Sequence, residues 1–281
     1  VRSAIRFFPI FLFWAAIAQA APTADPWPYW DKHDEASTSR VDHSPWERFL
    51  KTYVVTEDPS GINLVRYAAV SQADRQALDT YLSALQKTVV TSLNRVEQKA
   101  FWINLYNVLT IRVILGHYPV KTIRDIDISP GWFRNGPWDA KLARIEGLEL
   151  SLNDIEHRIL RPIWKDPRVH YAVNCASLGC PNLQPIAFTA GNTEELLDKG
   201  ARQYINHPRG VHPSDGKLVL SSIYDWFQED FGDGEKEVFN HLRRYAEPSL
   251  EVQLKNWRGS IRYEYDWRLN GFENSFSGGG R

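Results

Sequence analysis

The sequence predicts an α+β fold, a helix-rich single domain around a small, mostly antiparallel sheet. Three observations point that way. Helix-start signals crowd the first half of the chain, strand-patterned runs cluster later, and the two do not alternate in the strand–helix–strand rhythm of a parallel sheet. No internal repeat or linker interrupts residues 44–272, which are therefore expected to form one domain.

At the start stand Arg2 and Arg6, an uninterrupted apolar stretch from Phe7 to Ile17, and Ala18-Gln19-Ala20. These are the parts of a cleavable signal peptide, and the stretch falls short of the roughly 20 residues that a membrane span needs. Residues 1–20 are expected to be removed after Ala20, leaving a periplasmic or secreted protein without a membrane span. Residues 21–43, rich in Pro, Asp, Ser and Thr without a period, read as a flexible N-terminal arm. The glycine-rich end, 273–281, reads as a flexible tail.

Ser44-Pro45-Trp46-Glu47 sets an N-cap serine, a proline in the first turn and a glutamate three residues after the cap. Asn94 and Glu97 repeat the logic for a helix running to Gly116. Ser71 with Asp74, Ser151 with Asp154 and Ser222 with Asp225 are acidic variants of the same start. Further helices are expected near 193–207, 234–246 and 249–257. Lys141–Ile145 and Leu148–Leu150 flank Glu146-Gly147 as a hairpin. Residues 169–174 alternate, with Val169, Tyr171 and Val173 on one face of an expected strand. Residues 217–220 and 261–265 complete the strands.

Lys and Arg number 33 against 34 Asp and Glu, and removal of Arg2 and Arg6 shifts the balance further toward acid. That balance argues against nucleic acid and against an anionic membrane surface as partners. Eleven Trp and 13% aromatic residues supply a large core. A P-loop, a dinucleotide fingerprint, a serine nucleophile elbow and strong zinc spacings are absent, so the sequence points to no cofactor and no metal.

Three segments carry candidate chemistry. In Phe101–Ile111, apolar almost all round, Asn104 and Asn107 lie on one side; buried amides there tie loops to the helix or orient a functional group. Glu156 and His157 fall in the first turn of the helix opened by Ser151. Cys175 lies where the expected strand ends among small residues, the position of an exposed nucleophile near backbone N–H groups. A thiol needs a base beside it. His170 and Cys175 would face opposite sides of an ideal strand, which favours His157 as the base unless the turn bends, with Glu156 or Asp266 orienting its ring. The rival is a Cys175–Cys180 disulfide, which export favours.

Residues 100–111 (AFWINLYNVLTI), 151–161 (SLNDIEHRILR), 168–181 (RVHYAVNCASLGCP) and 265–270 (YDWRLN) together resemble the DUF-547 family, a domain of unknown function. The likeness runs from about Val65 to Asn270 and suggests a bacterial exported member. It implies a single α+β domain and no established substrate. The family's polar positions fall on Asn104, Asn107, Glu156, His157, His170 and Cys175.

Two functions follow as expectations. One is a Cys–His thiol hydrolase or acyl transferase acting on an amide-type bond in the cell envelope. Its site would be Cys175, His157, Glu156, His170 and Asp266, with Asn104, Asn107, Asn174 and Ser177 in support, and its likeness to cysteine peptidases an analogy of fold. The other is a non-catalytic periplasmic binding or structural module with a Cys175–Cys180 disulfide, its partner unidentified, in which Trp132 and Trp138 offer stacking surfaces.

Overall fold

The computed structural model describes residues 23–131 and 136–272 of the 281-residue chain. The expected leader, the expected tail and Trp132 lie outside the described residues.

Helix α3 (Arg95–His117) is the centre. Every residue from Glu97 to Ile111 is buried, as an all-round apolar sequence requires. Asn94 caps it, its Oδ1 accepting the Glu97 N–H at 3.0 Å. Against it pack α1 (Ser44–Tyr53) through Trp46, Phe49 and Leu50, and α2 (Gln72–Gln86) through Leu78, Leu82 and Leu85. Ser71 caps α2 as expected, accepting the Asp74 N–H. Ser44 does not cap α1. It is the first helical residue, after the N-cap His43, and its N–H donates to Asp42 Oδ1 at 2.9 Å.

The α+β class holds, but among the described residues the strands divide among three small sheets. β1 (Val54–Val55) pairs with β2 (Leu64–Val65). The expected hairpin is β3 (Ala143–Ile145) and β4 (Leu148–Leu150), turned by Glu146 and Gly147 at φ of 47° and 82°. β5 (Val211–Ser214), β6 (Lys217–Ser221) and β7 (Ile261–Glu264) form the third sheet, in which β6 and β7 run parallel.

Between β4 and the cysteines the backbone departs from expectation twice. Residues Asp154–Leu160 form a widened π-helix, with Arg161 N–H bonded to the Glu156 carbonyl, continued by α4 (Arg161–Trp164). Ser151 and Asp154 still cap each other reciprocally, at 3.1 Å and 2.9 Å. The expected strand 169–174 is instead a 3₁₀ turn over Pro167–Tyr171. Pro167 fixes the first φ, Asp166 Oδ1 accepts the Arg168 N–H, and the alternating Val169 and Tyr171 are simply both buried. With no strand there, opposite faces no longer decide which histidine can reach Cys175.

Parts of residues 23–43 lie against the domain. Asp25 and Trp27 donate their N–H groups to the His157 and Arg158 carbonyls, both at 3.0 Å, on the widened helix. Trp30 is 1% exposed and meets Trp102 edge-on.

α5 (Thr193–Ile205) joins two apolar clusters, with Leu196 and Leu197 in the α3 cluster and Ala201, Tyr204 and Ile205 in a second. That second cluster also holds the third sheet, α6 (Ile223–Trp226), α7 (Gln228–Phe231), α8 (Glu235–Tyr245) and α9 (Pro248–Asn256). No helix among the described residues is long and apolar enough to cross a membrane.

Candidate functional site

The two buried asparagines of α3 are ties. Asn104 donates to the Phe188 carbonyl (2.7 Å) and accepts from its N–H (3.1 Å). Asn107 donates to the Ala172 carbonyl (2.9 Å) and accepts the Asn174 N–H (2.8 Å). Asn174 extends the chain of amides, accepting the Ala176 N–H and donating to the Pro181 carbonyl. The loop from 174 to 181 is thereby hung from the central helix. On its other side the closing segment zips onto it, Leu178 and Gly179 donating to the Arg268 and Asp266 carbonyls at 2.8 Å. Gly179 is needed there, since a Cβ would come within 2.8 Å of the Asp266 nitrogen.

Within this loop Cys175 and Cys180 form a disulfide. Cys180 is 4% exposed, whereas Cys175 is only half-buried. Ser177 Oγ and the Tyr265 hydroxyl stand 3.1 Å from Cys175 Sγ. The Tyr265 hydroxyl donates to Cys180 Sγ at 3.1 Å, and the Cys175 N–H donates to the same sulfur at 2.9 Å.

The histidines expected beside the thiol are engaged elsewhere. His170 Nε2 lies 2.6 Å from Asp230 Oδ2 and its Nδ1 lies 3.7 Å from Glu156 Oε1, while its ring stacks on Phe227 at 4.4 Å. His157 also stacks on Phe227, with Nδ1 3.0 Å from the Arg161 guanidinium. Arginine only donates, so Nδ1 accepts and the neutral ring carries its proton on Nε2. Arg161 in turn pairs with Asp230 and Glu229. Burial, opposed by Glu156, brings His157 down to about 4. Burial would lower His170 as well, but the hydrogen bond to Asp230 and the nearby Glu156 carboxylate outweigh it and raise the imidazole above its ordinary value. The Glu156 carboxyl, which burial would raise, is held at about 2 by the charges of His157, His170 and Arg161. Near neutral pH His157 is uncharged, so His170 and Arg161 carry that effect. Burial and the neighbouring Glu156 carboxylate push the hydroxyl of Tyr106, from α3, well above the usual phenol range.

Asp266 does not orient an imidazole. Its carboxylate forms a forked pair with Arg268, at 3.0 Å from Nε to both oxygens. Asp266, Tyr265 and Trp267 line an open groove of about 720 Å³ together with Gly179, Lys121, and Glu264. Trp267 stacks on Trp226 at 5.6 Å and meets Tyr265 (4.7 Å) and Trp138 (5.7 Å) at steep angles. All four rings are half-buried. Sequence reasoning named Trp138 but missed Tyr106, Arg161, Trp226, Phe227, Asp230, Tyr265 and Trp267. These come from distant segments, and only the quoted motifs around Tyr106, Arg161 and Tyr265–Trp267 hinted at any of them.

The chemistry available is therefore an ionised, buried cluster, a disulfide whose Cys175 is half-buried, and an aromatic-lined groove. No group of three or more His, Cys, Asp or Glu among the described residues is arranged to hold a metal ion. Residues 90–205 match the family model described as "Protein of unknown function, DUF547". Comparison with curated proteins and with solved structures gives no match, and the likeness to cysteine peptidases finds no support.

Proposed function

We propose that this chain, whose residues 90–205 match the DUF547 model, is a peptide-binding module of an oxidising compartment. The carrying observation is the half-buried aromatic wall of the groove, Tyr265 and Trp267, backed by Trp226. The Tyr265 and Trp267 ring planes meet at 54°, so they present an angled surface rather than a flat platform. An angled pair suits an apolar side chain, and Lys121 and Glu264 on the same walls offer a donor and an acceptor to a peptide backbone. The disulfide supports export to a periplasmic or extracellular setting, where such bonds persist.

A thiol hydrolase needs a free thiolate with a base at hand. Here the Cys175 sulfur is bonded to Cys180 and both histidines face carboxylates and arginine, so we do not favour that reading. Panning a displayed library of random peptides against the oxidised protein tests the proposal. Selected peptides should carry an aromatic or aliphatic anchor, and Trp267→Ala should weaken them at least about tenfold in a fluorescence titration. Failure to enrich any peptide, or full affinity in the variant, overturns it.

A further inference from the structure

We propose that the Cys175–Cys180 disulfide is a thiol-exchange site, with Cys175 the sulfur attacked and Cys180 the leaving thiolate. The inference is independent of whether the groove takes a peptide. It starts from the asymmetry of the two sulfurs. Cys175 is half-buried whereas Cys180 is 4% exposed, so Cys175 is the less shielded residue of the pair. Access alone selects Cys175 as the electrophilic sulfur.

The second observation concerns where charge develops. Cys180 Sγ accepts the Cys175 backbone N–H at 2.9 Å and the Tyr265 hydroxyl at 3.1 Å. The Tyr265 hydroxyl stands 3.1 Å from Cys175 Sγ as well, so its proton can turn to Cys180 as charge develops there, whereas the backbone N–H is fixed on Cys180. Two donors aimed at one sulfur stabilise it as a thiolate far more than as a neutral atom, and a better-stabilised thiolate leaves faster. Burial holds the Tyr265 hydroxyl well above the usual phenol range, so it stays protonated and remains a donor.

The third observation is that the loop does not depend on the bond for its shape. Asn107 and Asn174 hold one side, and Leu178, Gly179 and the Asn270 N–H hold the other. The cysteines are five positions apart, so the ring they close is short and the cross-link removes little chain entropy. Opening it leaves the loop, and therefore both sulfurs, in place to re-form it.

The step balances as follows. A thiolate of an external thiol attacks Cys175 Sγ, forming a mixed disulfide as the bond to Cys180 breaks, and the electron pair stays on Cys180 as a thiolate. A second thiol then attacks the external sulfur of the mixed disulfide. That releases the oxidised disulfide of the external thiol and leaves Cys175 as a thiolate, which with Cys180 takes protons from water. Two thiols are oxidised and one protein disulfide is reduced, a two-electron exchange.

Oxidised full-length protein in graded reduced and oxidised glutathione, quenched by alkylation and mapped by mass spectrometry, tests this. Glutathione should appear on Cys175 and not on Cys180 while circular dichroism shows the fold intact. Cys180→Ser should trap the adduct on Cys175. Tyr265→Phe, which removes one donor and keeps the ring, should slow reduction by about tenfold at unchanged fold content. A bond that persists in millimolar glutathione while the protein stays folded overturns the proposal. So do adducts spread equally over both cysteines, or a rate that Tyr265→Phe leaves unchanged.

Discussion

Asn107 is 2% exposed in the middle of an apolar helix, and both ends of its amide are used. Replacing it with leucine keeps the volume but strips the Ala172 carbonyl and the Asn174 N–H of their partners. Both would remain buried, so Asn107→Leu should cost about 1–3 kcal/mol in urea denaturation. A change within about ±0.5 kcal/mol, the range of surface substitutions, would contradict the tie. This much of the site was legible in sequence, because an amide inside an all-round apolar helix must find a partner. Its partners were not legible, since backbone groups of residues 172–174 and 188 are identical in every sequence. Asp230 was hidden for a related reason. It lies 60 positions from His170 in an acidic run that reads as solvated surface, and only folding brings the two within 2.6 Å.

At the scale of elements, capping chemistry read from sequence located helix starts well, at Asn94, Ser71 and Ser151, because each cap is a local side chain to backbone bond. Residues 169–174 misled for the converse reason. Alternation of Val169, Tyr171 and Val173 describes burial, and a 3₁₀ turn fixed by Pro167 and Asp166 buries the same residues without a sheet. The loop 174–181 is an element in its own right, held by amides on one side and by the closing segment on the other. Its disulfide therefore adds only the entropy of a short ring, about 2 kcal/mol by chain statistics for a loop of this length. The Cys175→Ser, Cys180→Ser double variant should fold and lose roughly that amount or less. A loss above about 5 kcal/mol, or failure to fold, would mean that the bond and not the hydrogen bonds organises the loop.

Three histidines in three different places are pushed down furthest by burial. His43 packs against Tyr81 beside α1, His157 lies on the widened helix, and His241 sits under Tyr171 on α8. Burial lowers each to about 4 from an ordinary 6.5. The unfolded chain therefore binds up to three more protons than the folded one between those values, so stability falls as pH falls through that window. His43 and His157, the two most buried, each withdraw on the order of 3 kcal/mol by pH 4. His170 has the opposite sign, because its raised value gives stability that is present below pH 6.5 and is lost as pH rises through the folded value. Glu156 and Asp166, both held at about 2, join the loss only below their unfolded values near 4. A domain with a typical stability of about 5–15 kcal/mol should thus be close to unfolding near pH 4, before its carboxylates protonate in the folded state. Urea titrations at pH 7, 6, 5 and 4.5 should show a progressively lower unfolding free energy, and His43→Gln should flatten that decline by about one proton's share. A stability that is level from pH 7 to 4.5 would show that these imidazoles are solvated or already charged in the native protein.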